Sequence, residues 1–330
     1  MTGAGPDFDP YRSDPDRWGT SLAQSAELML PCLDAAGVRS VAEVGAFAGD
    51  LTRVLLGWAA ESGARVTAVD PSPQGGLVAL EGAHPELELV RATSLDALPA
   101  IELPDAVIID GDHNYYTVSE ELRLIGERAP GAELPLLLFH DVCWPHGRRD
   151  DYHAPEQIPE DYRRPLADGA GGIFPDEPGL RPGGLPYPRS AAREGGPRNG
   201  VLTAVEDFVA QREGVRLVVV PLFFGFGVVW HQGAPWSDDL ARILDPWDRN
   251  PVLERLEANR VHQLAQGHVR LVESLRARER QARQEAVLRR LLESSAFAVA
   301  ERLSQLRARV GIATEQSVVS KEEVRRALED

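Results

Sequence analysis

Seven short apolar runs recur along the chain, separated by polar and glycine-rich segments. They are Ser40–Val44, Arg65–Val69, Leu87–Arg91, Ala106–Asp110, Leu134–Phe139, Val215–Pro221 and Gly225–His231. The first five alternate with stretches of helical periodicity, which is the order of elements in a parallel α/β sheet. The last two lie only a few residues apart, as the strands of a hairpin do. The pattern predicts an α/β fold with five parallel strands followed by a hairpin.

The composition of the chain changes after Pro251. All 25 prolines lie at or before this residue, and Gly267 and Gly311 are the only glycines beyond it. Apolar residues continue at helical spacing on both sides of a polar stretch at 278–285, namely at Leu253, Leu256, Val261, Leu264, Leu271, Leu275, Leu288, Leu292, Val299, Leu303 and Leu306. Such spacing is typical of an amphipathic helix or an interrupted coiled coil. Two interpretations stay open: the tail joins two copies of the chain as a homodimer, or it folds as a helical hairpin onto its own globular domain.

We therefore divide the chain into an N-terminal arm (1–19), a globular domain (20–250) and a helical, coiled-coil-like tail (251–330). Within the globular domain, residues 146–199 are rich in Pro, Gly, Arg, Asp and Tyr. Connections of this length in compact domains are usually lids, binding loops or disordered segments. The aromatic and arginine side chains favour an insertion that acts as a lid, and they suit a hydroxylated or anionic small molecule.

Charge and composition exclude several classes of protein. The chain has 330 residues and a net charge of −16, without a long basic block, which argues against nucleic acid as the main partner. Two cysteines are too few for a disulfide framework. Because no apolar run approaches the ~20 residues needed to span a bilayer, we expect no membrane partner. The acidic, turn-rich N-terminus does not resemble a signal peptide, so we expect a cytoplasmic protein.

The most informative segment runs from Val41 to Asp70. An apolar run ends in Glu43-Val44-Gly45, a tight loop reaches Gly49, and a helical stretch and a second apolar run end on Asp70. Such a βαβ unit binds nucleotide-like ligands at the carboxyl ends of its strands, and an acid after the second strand suits a ribose diol. The alternative is an ordinary βαβ turn with packing glycines. Moreover, the spacing is E-x-G-x-x-x-G and not the G-x-G-x-x-G typical of dinucleotide-binding proteins.

With this spacing the chain resembles the class I S-adenosylmethionine-dependent methyltransferases. The resemblance implies a Rossmann-like, mostly parallel seven-stranded sheet whose last strand is antiparallel. It also implies that the glycine loop wraps the methionine part of the cofactor and that the acid after the second strand holds the ribose hydroxyls. The cofactor-binding positions are then Glu43, Gly45, Gly49, Asp70 and Asp110, and Ser94 or its neighbour Thr93 contacts the adenine.

Acids and histidines follow two apolar runs that should lie side by side. Asp110, Asp112 and His113 follow the fourth run, and His140 and Asp141 follow the fifth. Both strand ends lie on the ligand-binding edge of an open α/β sheet, so these side chains should converge on one cleft. Carboxylates suit Mg²⁺, and imidazole widens the choice to Mn²⁺, Fe²⁺ or Zn²⁺.

The sequences Asp-Gly-Asp-His-x-Tyr after the fourth run and His-Asp after the fifth resemble a narrower subgroup. It includes cephalosporin-pathway proteins and metal-dependent macrolide-sugar O-methyltransferases. The resemblance implies that Asp110 and Asp141 hold a divalent metal and that His113 is the general base. The subgroup has an acid where this chain has His140, which is a metal ligand, a second base or a substrate contact. The alternative is a purely structural role, in which His113 or Asp112 caps the helix predicted at Tyr115–Arg128.

The sequence therefore predicts an S-adenosylmethionine-dependent methyltransferase that methylates a hydroxyl on a small molecule, such as a natural product or a sugar. A divalent metal and a histidine base would assist, since a metal lowers the pKa of a bound hydroxyl and imidazole accepts its proton near neutral pH. Two other classes stay open: a nicotinamide-dependent enzyme on the same fold, and a non-catalytic, cofactor-binding scaffold.

Overall fold

The apolar runs form one sheet. A computed structural model describes residues 21–167, 171–311 and 320–329, so the N-terminal arm predicted at 1–19 lies outside the described residues. In chain order the strands are β1 (Ser40–Val44), β2 (Arg65–Val69), β3 (Leu87–Val90), β4 (Ala106–Ile109), β5 (Leu136–Phe139), β6 (Gly172–Phe174), β7 (Glu177–Arg181), β8 (Val215–Val220) and β9 (Phe226–His231). The main sheet has the order β3-β2-β1-β4-β5-β9-β8, and β6 pairs with β7 in a small separate sheet.

The direction of the strands confirms the predicted fold class. Strands β1 to β5 pair in parallel, and β9 lies antiparallel between β5 and β8. The fold is thus a Rossmann-like, mostly parallel seven-stranded sheet whose last strand is antiparallel. The strand ends differ from the predicted ones by at most two residues.

Helices cover both faces of the sheet. They are α1 (Ala26–Ala35), α2 (Asp50–Ser62), α3 (Gly75–Glu81), α4 (Ser94–Ala97), α5 (Tyr115–Arg128), α6 (Val201–Ala210), α7 (Ser237–Leu244), α8 (Pro251–Glu293), α9 (Ser295–Arg309) and α10 (Lys321–Glu329). One buried apolar cluster joins α1, α2, α3 and α7 to the sheet, and a second joins α4, α5 and α6 to the opposite face. Since both faces are covered, strands β4 and β5 are buried throughout, which explains their unbroken apolar sequences.

The described part of the 146–199 insertion is folded and fixed at both ends. The buried carboxylate of Asp150 accepts hydrogen bonds from the backbone N–H groups of Tyr115 (2.8 Å) and Gly200 (2.7 Å), at the starts of α5 and α6. It also accepts one from the hydroxyl of Tyr152 at 2.8 Å. Negative charge at two helix N-termini is favourable, because both helix dipoles point their positive ends at it. Asp150 therefore fastens the insertion to the sheet edge from which α5 starts.

Arginines in the insertion hold its own backbone. The fully buried Arg149 donates to the carbonyl oxygens of Ala191 and Pro178. Arg164 donates to the carbonyl of Arg198. These contacts change the interpretation drawn from the sequence, because guanidinium groups engaged in this way are not free to bind an anionic acceptor.

The chain divides into two compact units, Met1–Ala265 and Gln266–Asp330, and the division falls within α8. Helix α8 begins at Pro251, where the composition changes, and it continues without a break through the polar stretch 278–285. It ends at Glu293, and the side chain of Ser294 caps the start of α9 by accepting from the N–H of Phe297. No helix in the described parts of the chain is both long enough and apolar enough to cross a bilayer.

The first turns of α8 bury only part of the predicted apolar seam. Glu257, Val261 and Ala265 are buried at a spacing of four residues, whereas Leu256 is 55% exposed and Leu264 is 37% exposed. In the second unit, the apolar side chains of Leu271, Leu275, Leu291, Val299, Leu303 and Leu306 are exposed. Of the predicted seam, Val261 is thus buried, whereas Leu256 and Leu264 are exposed, and the charged Glu257 shares the buried face.

Candidate active site

The loop after β1 can be formed only with glycine at two of its positions. Gly45 has a φ of 89°, and a Cβ there would lie 2.2 Å from the backbone oxygen of Asp110 at the end of β4. Gly49 precedes α2 with a φ of 84°, and its Cβ would lie 3.2 Å from Cα of Leu77. Both glycines of the E-x-G-x-x-x-G motif are thus required by backbone conformation and close approach.

The two acids of the motif flank this loop. Asp70 accepts hydrogen bonds from the backbone N–H groups of Phe47 (2.8 Å) and Ser72 (2.7 Å), one on each carboxylate oxygen. Glu43 is buried and accepts from the hydroxyl of Thr52 at 2.6 Å. Burial, reinforced by nearby carboxylates, raises the pKa of Glu43 to about 8. Each oxygen of Asp70 keeps a free lone pair.

Glu43, Gly45 and Asp70 line one cavity of about 540 Å³ beside the carboxyl ends of β1, β2 and β4, whereas Gly49 is not among its lining residues. Ser94 lines the cavity, while the neighbouring hydroxyl of Thr93 donates to Asp96 at 2.7 Å. The site residues predicted from the sequence that line this cavity include Glu43, Gly45, Asp70, Ser94, Asp110 and His113.

The insertion supplies part of the same cavity wall, which sequence reasoning missed. His153, Gln157 and Ile158 line the cavity. The backbone N–H of His153 donates to Asp112 at 2.9 Å, and the hydroxyl of Thr117 donates to the other oxygen of Asp112 at 3.0 Å. Asp112 therefore joins the insertion to α5 and is not the helix cap. No spacing in the sequence distinguishes these lining residues from the rest of the insertion.

Beyond the cavity, the ends of β4 and β5 bring an imidazole between two carboxylates. Nδ1 of His140 lies 3.1 Å from Oδ1 of Asp110 and 3.4 Å from Oδ2 of Asp141. Nε2 of His140 lies 2.9 Å from the carbonyl oxygen of Phe223, which can only accept, so Nε2 is the donor. The ligand atoms of the three side chains lie within 4.8 Å of one another. Asp141 adopts a left-handed conformation with a φ of 57°, as strained residues at functional sites often do.

His113 joins the same cluster from the loop before α5. Its Nε2 lies 3.1 Å from Oδ2 of Asp141 and 3.7 Å from Oδ1 of Asp110. The shorter contact has the distance of an ion pair but not the alignment of a hydrogen bond, so Nε2 is buried without a hydrogen-bonding partner among the described residues. The cap of α5 is Asn114, whose side chain accepts from the N–H of Thr117 at 2.9 Å. The capping interpretation of His113 is therefore wrong.

Three further side chains lie around His113 and its neighbour His146, and sequence reasoning missed their position. The ring of His146 stacks on that of His113 with a centroid separation of 4.9 Å, and Tyr187 meets His146 edge-on at 5.4 Å. Asp151 also lies within 4.8 Å of the two imidazoles. All three belong to the insertion, whose sequence gives no periodicity from which their position could be predicted.

The carboxylates keep protons on two of the imidazoles. Burial opposes this, but Asp141 and Asp110 raise the pKa of His140 to about 10 and that of His113 to about 9. Burial likewise opposes ionisation of Asp110, yet the two histidines lower its pKa to about 2. Burial dominates at His146 and lowers its pKa to about 4. At neutral pH the cluster thus contains an ionised Asp110, two imidazolium groups and one neutral imidazole.

Part of the globular domain matches a known protein family. Residues 42–142, which contain β1 to β5, match the family model described as a methyltransferase domain. This region is similar to methyltransferase domains, the class that the E-x-G-x-x-x-G loop predicts. The match weighs against the nicotinamide-dependent alternative, as does the glycine spacing.

Solved structures similar to this methyltransferase domain are distant in sequence. The SAH-bound methyltransferase PaMTH1 of Podospora anserina is 14% identical over 66% of this chain and 82% of that chain, with a TM-score of 0.42. An O-methyltransferase family protein from Burkholderia thailandensis is 12% identical over 67% and 60% of the two chains, with a TM-score of 0.38. Human N-acetylserotonin methyltransferase is 13% identical over 68% and 58%, with a TM-score of 0.36. No curated protein matches the sequence.

The acid and imidazole cluster is contiguous with the cavity of the methyltransferase domain. Asp110 and His113 belong to both, since they line the cavity and contact His140 or Asp141. A group bound in the cavity and a second molecule bound at the cluster would therefore be neighbours.

Proposed function

We propose that this protein transfers the methyl group of S-adenosylmethionine to a hydroxyl of a small molecule. The observation that carries the proposal is the shared position of Asp110 and His113, which border both the cofactor cavity and the acid and imidazole cluster. Methyl transfer requires an acceptor oxygen in line with the sulfonium and a group that takes up the hydroxyl proton.

The cavity residues divide among the parts of the cofactor. Asp70 accepts the ribose hydroxyls on the lone pairs that its backbone contacts leave free. Glu43, the only acid of the motif on β1, faces the positively charged methionine end beside Gly45 and Gly49. Ser94, at the start of α4, contacts the adenine. The acidic wall suits a cofactor that carries a sulfonium and an ammonium group.

Asp110, His140 and Asp141 fit a divalent cation. Their ligand atoms lie close enough to share one ion, and the Nε2 donor bond to Phe223 leaves Nδ1 of His140 as the ligand atom. Metal-binding histidines usually donate their other N–H to a carbonyl or carboxylate in this way. The donor set of two carboxylates and one imidazole suits Mg²⁺ or Mn²⁺, and other transition metals are alternatives. A bound cation would supply charge that lowers the pKa of an acceptor hydroxyl.

His113 is the proposed base. Its Nε2 has no hydrogen-bonding partner in the described residues, so the neutral form of the ring could accept the proton of an acceptor hydroxyl there. A bound S-adenosylmethionine would supply the methyl group and depart as S-adenosylhomocysteine, while neutral His113 would take the proton of the acceptor hydroxyl at Nε2. Stacking on His146 holds the ring of His113 in place. Tyr187 meets His146 edge-on, so the insertion also supports this stack.

A turnover assay tests the proposal. Purified protein, S-adenosylmethionine and a panel of hydroxylated small molecules, including sugars and phenols, are assayed for S-adenosylhomocysteine with and without EDTA. We expect EDTA to suppress turnover and Mg²⁺ or Mn²⁺ to restore it. His113→Gln should lower kcat by about 10²–10⁴ while cofactor affinity is kept, and His268→Gln in the tail is the matched control.

The possible outcomes separate the alternatives. Full activity in chelator contradicts the metal role, and near-normal activity of His113→Gln contradicts the base role. Tight cofactor binding without turnover of any acceptor favours the scaffold alternative.

A further inference from the structure

The start of helix α8 reaches the turn between β8 and β9 through one buried acid. Glu257 is 5% exposed. Its carboxylate accepts hydrogen bonds from the consecutive backbone N–H groups of Phe223 (3.2 Å) and Phe224 (2.8 Å). Arg260, one turn further on, contacts both oxygens of the same carboxylate at 2.7 and 2.6 Å. The carboxylate is therefore fully engaged between a turn and a guanidinium group.

The turn has a backbone conformation that needs such a partner. Phe223 and Phe224 have φ values of 50° and 67°, in the left-handed region that side chains other than glycine rarely adopt. Consecutive residues of this kind point their N–H groups toward one place and form an anion-binding concavity. Here the carboxylate of Glu257 occupies it. Without that acceptor, two half-buried N–H donors would lose their partners in a conformation that is already unfavourable.

The same turn carries the carbonyl that orients His140. The oxygen of Phe223 accepts from Nε2 of His140 at 2.9 Å, and the oxygen of Phe224 accepts from the N–H of Cys143 at 2.7 Å. Gly225 packs so closely that a Cβ there would lie 2.6 Å from the nitrogen of Cys143. A shift of the turn therefore moves the acceptor of His140 and, with it, the direction in which Nδ1 points.

We infer that Glu257 is a positioning residue for His140, which makes the first turns of α8 part of the apparatus that holds the proposed cation. The chain of contacts runs from Arg260 to Glu257, to the backbone of Phe223 and to the ring of His140. This inference rests on the proposed function for its effect on catalysis, whereas its effect on the His140 ring is independent of that function.

The test compares Glu257→Gln with Glu254→Gln in the full-length protein. Both substitutions remove one negative charge from the start of α8, but Glu254 is exposed. Because glutamine retains one acceptor and nearly the same volume, the folded state should survive, which thermal melting checks. Glu257→Ala is the stronger variant wherever it folds.

The first readout is the ring of His140, observed by NMR after ¹⁵N-histidine labelling and assigned with His140→Gln. We expect the Nε2 proton of His140 to exchange with solvent about tenfold faster or more in Glu257→Gln, because the hydrogen bond that protects it is weakened. Glu254→Gln should match the wild type. Equal exchange in wild type and Glu257→Gln would overturn the inference, whatever the protein catalyses.

The second readout is Mn²⁺ affinity by calorimetry, in a double-mutant cycle. Glu257→Gln should weaken Mn²⁺ binding about tenfold in the wild-type background and much less in the His140→Gln background, since the loss acts through that ring. Equal losses in both backgrounds would overturn the inference. If the wild type binds no Mn²⁺, the metal part of the proposed function fails, and the exchange measurement alone decides the role of Glu257.

Discussion

The buried position of Glu43 predicts how strongly cofactor affinity depends on pH. Glu43 is buried beside the glycine loop, and its pKa of about 8 compares with an ordinary value of 4.5. At pH 7 about nine-tenths of the free protein therefore carries a neutral Glu43. S-adenosylmethionine is positively charged, so its binding should favour the ionised carboxylate and release that proton.

The magnitude can be worked out by linkage. If the bound cofactor returns the pKa of Glu43 to 4.5, cofactor affinity should rise ~25-fold between pH 6.5 and 8.5, which corresponds to about 1.9 kcal/mol. The sign follows from the direction of the shift: the free protein holds the proton up to about pH 8, so binding must remove it below that pH and is easier above it. At pH 7, binding should release about 0.9 protons from this group.

Calorimetry in two buffers of different ionisation enthalpy measures the protons released. The Glu43→Gln variant is the control, because glutamine can still accept from Thr52 but cannot ionise. The amino group of the cofactor also titrates, and its contribution cancels in the difference between the two proteins. If the wild type releases no more protons at pH 7 than Glu43→Gln does, Glu43 does not ionise on binding and the reasoning is refuted.

The remaining predictions concern the cofactor, the core and the tail. Asp70→Ala should weaken S-adenosylmethionine binding by roughly 1–3 kcal/mol, because the ribose hydroxyls lose their acceptor; unchanged calorimetric affinity would remove Asp70 from the site. Burial raises the pKa of Glu121 on α5 to about 8, so its contribution to stability is complete below pH 4.5 and is lost as the pH rises through 8. Glu121→Gln should reduce the fall in unfolding free energy between pH 5.5 and 8 by about 3 kcal/mol, measured by urea denaturation, and an unchanged pH dependence would contradict this. Truncation after Gln266 keeps Glu257 and should convert a dimer into a cofactor-binding monomer in light scattering, whereas a monomeric full-length protein would end the dimer hypothesis.

The positions of most strands in the sheet could be predicted from the local sequence. Each parallel strand is covered on both faces, so its apolar run is continuous and its limits follow from the first polar or turn residue. The E-x-G-x-x-x-G loop was equally predictable, because Gly45 and Gly49 have conformations that side chains do not permit. The convergence of Asp110, His140 and Asp141 followed from topology alone, since adjacent parallel strands end at the same edge.

The contacts that sequence did not predict cross long stretches of chain. Asp150 fixes the insertion through backbone N–H groups 35 and 50 residues away. Glu257 is a charged residue on a buried helical face, so a search for apolar periodicity assigns that face to Leu256 and Leu264. In both cases the partner is a backbone group, which every residue carries, and no side-chain pattern marks it. Acids that bind backbone donors are therefore the class of residue that such reasoning misses.

The proposed metal and the proposed base are coupled through the negative charge of the carboxylates that both of them contact. In the cluster, Asp110 and Asp141 face both His113 and His140, and their charge keeps the pKa of His113 at about 9. A base must be unprotonated to accept a proton, so carboxylates that hold the ring of His113 in place also keep it from acting at neutral pH. A divalent cation on the same carboxylates would offset their charge and displace the proton from Nδ1 of His140, and the pKa of His113 would fall toward its ordinary value. The proposed cation and the proposed base therefore depend on each other. The single charge of the His140 imidazolium between these carboxylates leaves His113 protonated, and a divalent cation in its place would lower the pKa of His113 so that the ring can act as a base.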